Sequence, residues 1–386
     1  MSQTVLHVQK VAGISGSEAH LLSLLPRLKE RGWDMRFLML HQHEPGAWEF
    51  ADALESRGVP LDAIPMRADV DPVAFIRFVG YVARMRPAIL HTHLVHADAY
   101  GQIVGLLTDL PVRLSTKHGF NEFREGRLFA LGDRLIAAAA DAQISISRGL
   151  ARYLVDTEGF AEGSFEIVHY GIDAGGEPPP YPEDPPRFLC IGRLIPIKGH
   201  VVLLRAFRDA LAERHDLVLD IAGRGVLDAG LKAVARELGI EGSVNFLGHV
   251  SPVARRIEMS SAVVVPSIGE GFGMVALEAM ERARPVIATE IGGLIDIVRH
   301  GETGLLVPVA QTEPLTRAML DLANDPDAAR AMGEAARVRA LTRFPEARCT
   351  DRTAALYADL LDGRSDHNRA SATDASSASR KSHGAR

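Results

Sequence analysis

Short apolar runs alternate along this chain with longer segments of helical periodicity, and this alternation limits the folds that the chain can adopt. The first half contains five such runs, at residues 5–8, 35–40, 88–93, 113–116 and 142–146. Between the first two runs, the segment from Ser17 to Arg31 carries leucines at helical spacing, and Gly32 supplies a stop signal. Because this pattern is typical of parallel strands joined by crossover helices, it predicts a doubly wound α/β domain.

A proline-rich segment interrupts the alternation near the middle of the chain. Residues 175–186 contain six prolines, which neither donate to a sheet ladder nor continue a helix. The pattern then restarts with an expected helix over 199–213 and with apolar runs at 187–191, 217–222, 244–247, 262–266, 285–288 and 305–307. We therefore expect two α/β domains, an N-terminal one over 1–174 and a C-terminal one over 187–345.

The end of the chain is predicted to consist of a helix and a tail. Residues 346–362 place Leu356, Leu360 and Leu361 on one stripe, and we expect this helix to cross back to the N-terminal domain. Residues 363–386 are small or polar and offer too little apolar surface to offset the entropy of ordering, so we predict disorder there.

Composition excludes several classes of protein. The chain of 386 residues has 49 acidic against 43 basic residues and a net charge of −6, which argues against nucleic acid as the main partner. Two cysteines, Cys190 and Cys349, are too few for a disulfide framework and fit a reducing cytoplasm. Because no apolar run approaches the roughly 18 residues that span a bilayer and no export leader opens the chain, we expect a cytoplasmic protein.

The segment from Pro266 to Met280 predicts an anion site. It joins a buried run to a helix that is expected to start near Phe272, and Gly269, Gly271 and Gly273 would let the backbone approach a ligand. Free N–H groups at a helix start favour anions. Glu270 and Glu278 would then lie about 9 Å apart along the helix axis, close to the length of a diphosphate. The alternative is a turn glutamate and a solvated helix glutamate.

A second segment, Ile191 to Gly199, places Arg193 and Lys198 after the first strand of the C-terminal domain. Ligands of open α/β sheets bind at the carboxyl ends of the strands. Each cation would gain about 4 kcal/mol at 4 Å from a negative charge at an effective dielectric near 20, before desolvation. Two such cations suit a diphosphate, although a solvated turn is the alternative.

Taken together, these residues resemble family 4 of the retaining glycosyltransferases. The resemblance covers about residues 4–362 and includes Gly16-Ser-Glu18, His118-Gly119, Gly223-Arg-Gly225, Gly292-Gly293 and Thr303-Gly304 besides the two segments above. The family implies the GT-B architecture, in which two Rossmann-like α/β/α domains face a central cleft. It further implies sugar transfer from a nucleotide diphosphate sugar with retention of anomeric configuration and without a metal or other cofactor.

The resemblance also assigns roles to residues. Arg193 and Lys198 match the diphosphate-binding cations, and Glu278 matches the ribose contact. His118 matches a position that lines the donor-sugar or acceptor site, Gly16 lies on a loop that closes over the donor, and Gly223 belongs to a further donor-binding motif. The donor-sugar and phosphate loop corresponds to Glu270, Gly271, Phe272, Gly273, Met274 and Val275.

The family mechanism fits elementary chemistry. As the glycosidic bond breaks, charge grows on the departing diphosphate, so fixed cations stabilise the transition state more than the ground state. The resemblance suggests that a donor phosphate oxygen takes the acceptor proton, while Glu270 orients the sugar. A uridine donor is the family's commoner choice, and a saccharide or lipid-linked acceptor in cell-envelope synthesis is expected. A nucleotide-sugar epimerase and a non-catalytic sugar-nucleotide-binding subunit remain as alternatives.

Three weaker patterns lie in the N-terminal domain. Gly13 and Gly16 lack the full three-glycine spacing of a dinucleotide fingerprint. His91 and His93 fall on one face of a strand, but His96 does not and no carboxylate completes a metal set, so a packed strand end is favoured. A basic and apolar segment could rest on the inner face of the cytoplasmic membrane, with an ordinary amphipathic helix as the alternative; it comprises Lys117, Phe120, Phe123, Arg124, Arg127, Leu128, Phe129, Leu131 and Arg134.

Two residues depart from the family pattern. Val226 stands where the family usually has proline, and Tyr170 stands where asparagine is usual. Neither position belongs to the predicted phosphate-binding set. We therefore expect these departures to affect base recognition and the hinge, while the donor class is retained.

Overall fold

The computed structural model describes residues 3–120, 127–182 and 185–363. The N-terminal domain is built on a parallel sheet of seven strands in the order β3-β2-β1-β4-β5-β6-β7. These strands are β1 (Thr4–Lys10), β2 (Asp34–His41), β3 (Leu61–Pro65), β4 (Ile89–His93), β5 (Val112–Lys117), β6 (Ala142–Ser145) and β7 (Glu166–Ile167).

Helices cover both faces of this sheet. They are α1 (Gly16–Glu30), α2 (Pro45–Glu55), α3 (Pro72–Met85), α4 (Leu94–Leu107), α5 (Arg127–Ala137) and α6 (Arg148–Tyr153). Leu25 of α1 and Phe50 of α2 belong to one buried cluster, whereas Phe78 of α3 and Val104 of α4 belong to another. The central strands are therefore buried on both faces, which is why they read as continuous apolar runs.

All five runs predicted in the first half are strands, and they correspond to β1, β2, β4, β5 and β6. The prediction missed β3 and β7, which are the two edges of the sheet. The first ends in Pro65 and the second has only two residues. Edge strands carry weaker apolar patterns because one side is solvated.

The C-terminal domain repeats this architecture with six parallel strands in the order β10-β9-β8-β11-β12-β13. They are β8 (Arg187–Ile191), β9 (Val218–Ala222), β10 (Val244–Gly248), β11 (Ala262–Val265), β12 (Val286–Thr289) and β13 (Gly304–Val307). The helices are α7 (His200–Glu213), α8 (Asp228–Glu237), α9 (Ala254–Glu258), α10 (Met274–Glu281), α11 (Leu294–Ile297), α12 (Thr312–Asn324) and α13 (Pro326–Arg343). The prediction of two Rossmann-like α/β units is confirmed.

The proline-rich connector is held by the C-terminal domain. Arg284, only 1% exposed, donates to the carbonyls of Pro179, Pro180 and Glu258. Tyr181 donates from its hydroxyl to the carbonyl of Ser261 at 2.9 Å. One buried guanidinium thus satisfies two carbonyls of a segment without regular structure.

The last helix, α14 over residues 346–363, packs on the N-terminal domain. Cys349 and Tyr357 are buried in the same cluster as Leu25 and Phe50. The chain crosses back where Ile172 donates to the carbonyl of Phe344 at 2.8 Å and accepts from the N–H of Glu346 at 3.2 Å. Residues 364–386, most of the predicted disordered tail, lie outside the described residues.

The carboxyl ends of the two sheets face each other. Ser147, just after β6, donates to the carbonyl of Gly271 in the loop after β11 at 2.7 Å. Asp296 of α11 accepts from the backbone N–H of Arg148 at 2.7 Å and lies 2.9 Å from Nε2 of His169. Among the described residues, no helix is both long and apolar enough to cross a membrane.

Candidate active site

The candidate site lies where the strand order of the C-terminal sheet reverses. Neighbouring strands β8 and β11 are followed by loops that leave in opposite directions, which creates a crevice at their carboxyl ends. Arg193 and Lys198 lie on the first loop, and Glu270 lies on the second.

Backbone contacts hold these two loops together. Ile268 donates to the carbonyl of Ile197 at 2.7 Å. Gly199 has a φ of +70°, and a Cβ there would lie 1.9 Å from the carbonyl oxygen of Pro266. Only glycine fits this approach, so the position of Lys198 relative to Glu270 is fixed by the main chain.

Lys198 and Glu270 form an ion pair. Nζ of Lys198 lies 2.6 Å from Oε2 of Glu270, and the hydroxyl of Ser267 donates to the same oxygen at 3.1 Å. Both charged side chains keep some exposure, at 21% and 15%. The sequence predicted separate roles for the two residues; the structure brings them into direct contact.

Arg193 is exposed at the rim of the same crevice. Within the described residues its guanidinium forms no ion pair and no side-chain hydrogen bond. A planar guanidinium with five donors is suited to bidentate binding of phosphate. This exposed guanidinium, on the same loop as Lys198, is therefore available to an anionic ligand.

The helix after Glu270 begins later than predicted. It starts at Met274 rather than near Phe272, because Gly273 adopts a φ of +104° at the N-cap. Ala276 bonds back to the carbonyl of Gly273 at 2.9 Å, so the preceding N–H groups of Met274 and Val275 face outward from the first turn. Such N–H groups are potential anion donors.

Glu278 lies in the second turn of this helix, α10. Burial raises the pKa of its carboxyl from 4.5 to about 7. Within the described residues its side chain has no hydrogen bond or ion pair. The carboxylate is thus free to accept hydrogen bonds from ligand hydroxyl groups.

Phe272, which the resemblance assigns to the donor-sugar and phosphate loop, has a buried side chain. It is 2% exposed and packs edge-on against Tyr170, with ring centroids 5.3 Å apart. Only the backbone of this residue can line a donor site. The adjacent Gly271 is equally constrained, since a Cβ there would lie 2.5 Å from the carbonyl oxygen of His118.

Gly223 lines a cavity at the carboxyl ends of β9 and β10. The cavity has a volume of about 480 Å³, and its lining includes Gly225, Lys232, Phe246 and Gly248. A Cβ on Gly223 would lie 1.8 Å from the carbonyl oxygen of Gly192. The glycine therefore lets this cavity adjoin the loop that carries Arg193.

On the opposite domain, Gly16 begins α1. A Cβ there would meet no atom within 4 Å, so protein packing alone does not require glycine. Glu18 of the same motif is largely buried and accepts from the backbone N–H of Ser15 at 3.0 Å. Glu18 thus completes a capping box at the helix start.

His118 follows β5 directly and has both ring nitrogens engaged. Nε2 lies 2.8 Å from Nδ1 of His93, and Nδ1 is hydrogen-bonded to the hydroxyl of Tyr170. Burial, with His7 nearby, lowers the pKa of His118 from 6.5 to about 3. The resemblance assigns His118 to the lining of the donor-sugar or acceptor site; in the structure both nitrogens of its ring are bonded within the protein.

The sequence did not predict that Tyr170, His7 and Tyr357 lie with His93 and His118 in one hydrogen-bonded cluster. Tyr170 was recognised as a departure from the family pattern, but its contact with His118 was not predicted. His7 lies opposite His91 in the pairing of β1 with β4. Knowledge of that strand pairing would have revealed it, and sequence alone does not supply the pairing.

The structure groups His91 and His93 with His7, and not with His96, which the sequence analysis considered as a third metal ligand. His96 lies on α4, 3.4 Å from Asp69, while His7 joins His91 and His93 with nitrogens within 4.8 Å of one another. His20, Glu346 and Cys349 form a second group of the same kind.

Only some side chains of the predicted membrane-binding segment lie on the protein surface. Lys117 is buried between Asp98 at 2.8 Å and Asp133 at 3.3 Å, and Phe120 packs on Tyr153. Leu131 and Leu135 of α5 are exposed. Phe123 and Arg124 lie outside the described residues, as do the side chains of Arg127, Leu128 and Phe129.

Two facing Rossmann-like domains define the GT-B architecture, and the family models agree with this class. A glycosyl transferase 4-like domain model matches residues 15–171, and a model of glycosyl transferases group 1 matches residues 177–339. The lipopolysaccharide core biosynthesis mannosyltransferase LpcC of Rhizobium leguminosarum bv. viciae is 30% identical over 300 residues, 73% of this chain and 82% of that protein. The chain belongs to the family 4 glycosyltransferases.

D-inositol 3-phosphate glycosyltransferases are also similar. The protein of Nocardioides sp. is 35% identical over 205 residues, 46% of this chain and 44% of that protein. The protein of Kribbella flavida is 30% identical over 67% of this chain and 63% of its own length. The matches thus span about half to two thirds of these relatives.

Solved structures share the fold. Anabaena Alr3699/HepE in complex with UDP aligns with a TM-score of 0.78 at 18% identity, over 92% of this chain and all of that one. Sucrose-phosphate synthase from Thermosynechococcus elongatus aligns with a TM-score of 0.75 at 22% identity, over 94% of this chain and all of that one.

Proposed function

We propose that this protein is a retaining glycosyltransferase that moves a sugar from a UDP-sugar to an acceptor hydroxyl in cell-envelope polysaccharide, lipopolysaccharide or glycolipid synthesis. The observation that carries the proposal is the crevice between β8 and β11: its loops hold the ion pair of Lys198 and Glu270 and also Arg193, which has no protein partner in the described part of the chain. The UDP named with the Anabaena structure and the lipopolysaccharide core named for the Rhizobium relative support the donor and the pathway class.

In this proposal the diphosphate displaces Glu270 as the partner of Lys198. The ammonium then turns to a phosphate oxygen, and Arg193 and the N–H groups of Met274 and Val275 complete the anion site. The released carboxylate of Glu270 accepts hydrogen bonds from sugar hydroxyls and so orients the sugar. The positive charge of Lys198 is thus compensated before and after binding, while the carboxylate of Glu270 exchanges its ion pair for hydrogen bonds from neutral hydroxyls.

The ribose and the base extend along the same edge. The free carboxylate of Glu278 accepts from the ribose hydroxyls, and the cavity lined by Gly223 receives the base. At about 480 Å³, this cavity has the volume of an ordinary small-molecule site.

The transfer step balances without a protein base. The bond between the anomeric carbon and the diphosphate oxygen breaks, and the acceptor oxygen bonds to the same face of that carbon. The acceptor proton passes to the departing phosphate oxygen, whose growing charge Arg193 and Lys198 stabilise. His118 is no base in this scheme, because both of its ring nitrogens are already bonded.

A product assay tests this proposal. Thermal-shift screening of UDP, GDP and ADP selects the base, and mass spectrometry with matching sugar donors and candidate acceptors then detects a mass increase of one sugar. NMR of the product anomeric proton is expected to show retained configuration, and EDTA is expected to leave the rate unchanged. Epimerised free donor without an acceptor product would favour the epimerase, and binding without turnover would favour the subunit.

We also propose that the enzyme acts at the inner face of the cytoplasmic membrane. Exposed Leu131 and Leu135 of α5 adjoin α4, which exposes Ile103, Leu106 and Leu107. Exposed apolar side chains on two neighbouring helices are suited to the headgroup boundary of a bilayer.

Liposome flotation tests the membrane proposal. The native protein is expected to float with vesicles that contain anionic lipid, and Leu106→Ser combined with Leu135→Ser is expected to remain in the dense fraction. Val338→Ser on the exposed surface of α13 serves as the matched control, since Val338 is 64% exposed in the other domain. Absence of flotation for the native protein would remove the proposal.

A further inference from the structure

Seven side chains of the N-terminal domain and its returning helix form one continuous chain of hydrogen bonds. His91 links Thr116 at 2.7 Å to the hydroxyl of Tyr357 at 2.7 Å, and that hydroxyl lies 2.9 Å from Nε2 of His7. Nδ1 of His7 lies 2.8 Å from Nε2 of His93, which continues to His118 and Tyr170. We refer to these seven residues as the relay.

Burial keeps the histidines of the relay neutral. His7, His91 and His93 are at most 1% exposed. Burial lowers the pKa of His7 to about 3 and that of His91 and His93 well below 6.5. A neutral imidazole has one N–H and one free lone pair.

Because each neutral ring carries one N–H proton, the tautomers of neighbouring histidines are coupled. Both nitrogens of each histidine are bonded within the relay, so a ring that donates at one nitrogen must accept at the other. If Tyr357 donates to His7, then His7 donates to His93, His93 to His118, and His118 to Tyr170. If Tyr170 donates to His118, every bond between these histidines runs the other way. The tautomers of His7, His93 and His118 therefore change together.

The inner end of the relay shows what it can do. Thr116 is 4% exposed, and a threonine hydroxyl neither supplies nor stores a proton near neutral pH. The relay consequently cannot feed protons to the cleft. It is also no ready metal site, because the 2.8 Å between nitrogens of His7 and His93 is shorter than the roughly 3.3 Å that separates two nitrogens around tetrahedral zinc.

The outer end touches the donor loop. The ring of Tyr170 packs against Phe272 at 5.3 Å and stacks on His20 at 4.0 Å. Tyr170 therefore connects the relay to the backbone that precedes α10. This tyrosine stands where the family usually has asparagine, whose shorter side chain would not extend the relay in this way.

We propose that Tyr357 is a positioning residue for the cleft, whose hydroxyl on the returning helix selects, through His7 and His93, the tautomer of His118. The tautomer in turn determines whether the oxygen of Tyr170 accepts or donates beside the donor loop. The terminal helix thus supplies an ordering element to a site that it does not touch. Only the kinetic part of this inference rests on the proposed function.

The first test is Tyr357→Phe, which keeps the ring and removes the hydroxyl. Nitrogen-15 NMR of histidine-labelled native protein is expected to show one tautomer for His118, and the variant is expected to show shifts averaged between two. Leu360→Ala on the same helix is the control, because Leu360 packs in the core without joining the relay. A single unchanged tautomer in Tyr357→Phe, or the same averaging in Leu360→Ala, would overturn the proposal.

Kinetics supply the second test. Tyr357→Phe and Tyr170→Phe are each expected to lower kcat about tenfold with little change in the donor KM, and the double variant is expected to lose little more than either one. A loss near a hundredfold in the double variant would show independent effects and contradict the relay. Should Tyr357→Phe fail to fold, Tyr170→Phe with NMR of His7 tests the direction of the coupling. Tyr357 still contacts His7 in that variant, so one His7 tautomer is expected, and a His7 signal averaged between two tautomers would contradict the proposal.

Discussion

The polar groups on the two sides of the cleft differ in whether they have partners within the protein. On the C-terminal side, Arg193 and Glu278 have no protein partner within the described residues, and Lys198 and Glu270 share a partly exposed ion pair. On the N-terminal side, both ring nitrogens of His93 and of His118 are bonded inside the protein. The groups that we propose to bind the donor are thus left available, whereas the histidines on the opposite side are satisfied internally.

The largest effect is expected from acid, which should lower the stability of the protein through the histidines of the N-terminal side. Five buried histidines, His7, His20, His91, His93 and His118, have a pKa lowered chiefly by burial. Unfolding restores their ordinary pKa, so the unfolded chain binds more protons below pH 6.5 and stability is lost as pH falls. His7 and His118, whose pKa lies near 3, each contribute about 1.4 kcal/mol between pH 7.5 and pH 5.5, and the other three histidines add to the loss in the same direction.

Urea unfolding at pH 7.5, 6.5 and 5.5 measures this loss. His91→Gln is expected to reduce the pH dependence, whereas exposed His215→Gln should leave it unchanged. Equal stability of the native protein at pH 7.5 and 5.5 would mean that the histidines titrate normally.

On the donor side, removing a cation should weaken binding and turnover. Arg193→Ala and Lys198→Ala are expected to lower kcat/KM about a thousandfold, because each removes about 4 kcal/mol of attraction to the diphosphate. Glu270→Gln is expected to lower chiefly kcat, since it orients the sugar. Arg317→Ala, in an exposed helical ion pair, is the control, and native activity in all three folded site variants would falsify the assignment.

Glu278 offers a smaller and sharper test of the available groups. Because the pKa of its carboxyl is about 7, Glu278 becomes protonated as pH falls. A protonated carboxyl accepts hydrogen bonds from ribose hydroxyls poorly. Donor Kd is therefore expected to rise about tenfold between pH 8 and pH 6. Calorimetry on Glu278→Gln should show a weaker affinity with most of this pH dependence removed; an undiminished dependence would point to another group.

The smallest effect is expected where the two sides touch. The hydroxyl of Ser147 donates to Gly271 across the cleft and accepts from the N–H of Leu150 at the start of α6. Ser147→Ala is expected to cost about 1–2 kcal/mol of stability by thermal unfolding. A match to native stability would mean that water replaces both bonds.

Sequence patterns predicted the architecture well for a physical reason. Buried parallel strands need continuous apolar runs, so β1, β2 and β8 are evident, while the weak edges β3 and β7 are not. The candidate donor residues could be proposed from sequence because loops at strand ends follow from chain order. The relay was not found, since His7, His118 and Tyr357 meet only through strand pairing and the returning helix. Likewise, the sequence pattern placed Lys117 on a surface, whereas in the structure Asp98 and Asp133 enclose it.

The returning helix has a consequence for fragments of this protein. A chain cut at the proline-rich connector would yield an N-terminal piece without Tyr357 and Cys349, both part of its buried core. That piece would expose the apolar groove where residues 346–363 now lie and would lose the hydroxyl between His7 and His91. The N-terminal domain is thus discontinuous in sequence. Separate expression of the two halves should succeed only when the last helix is supplied with the first half.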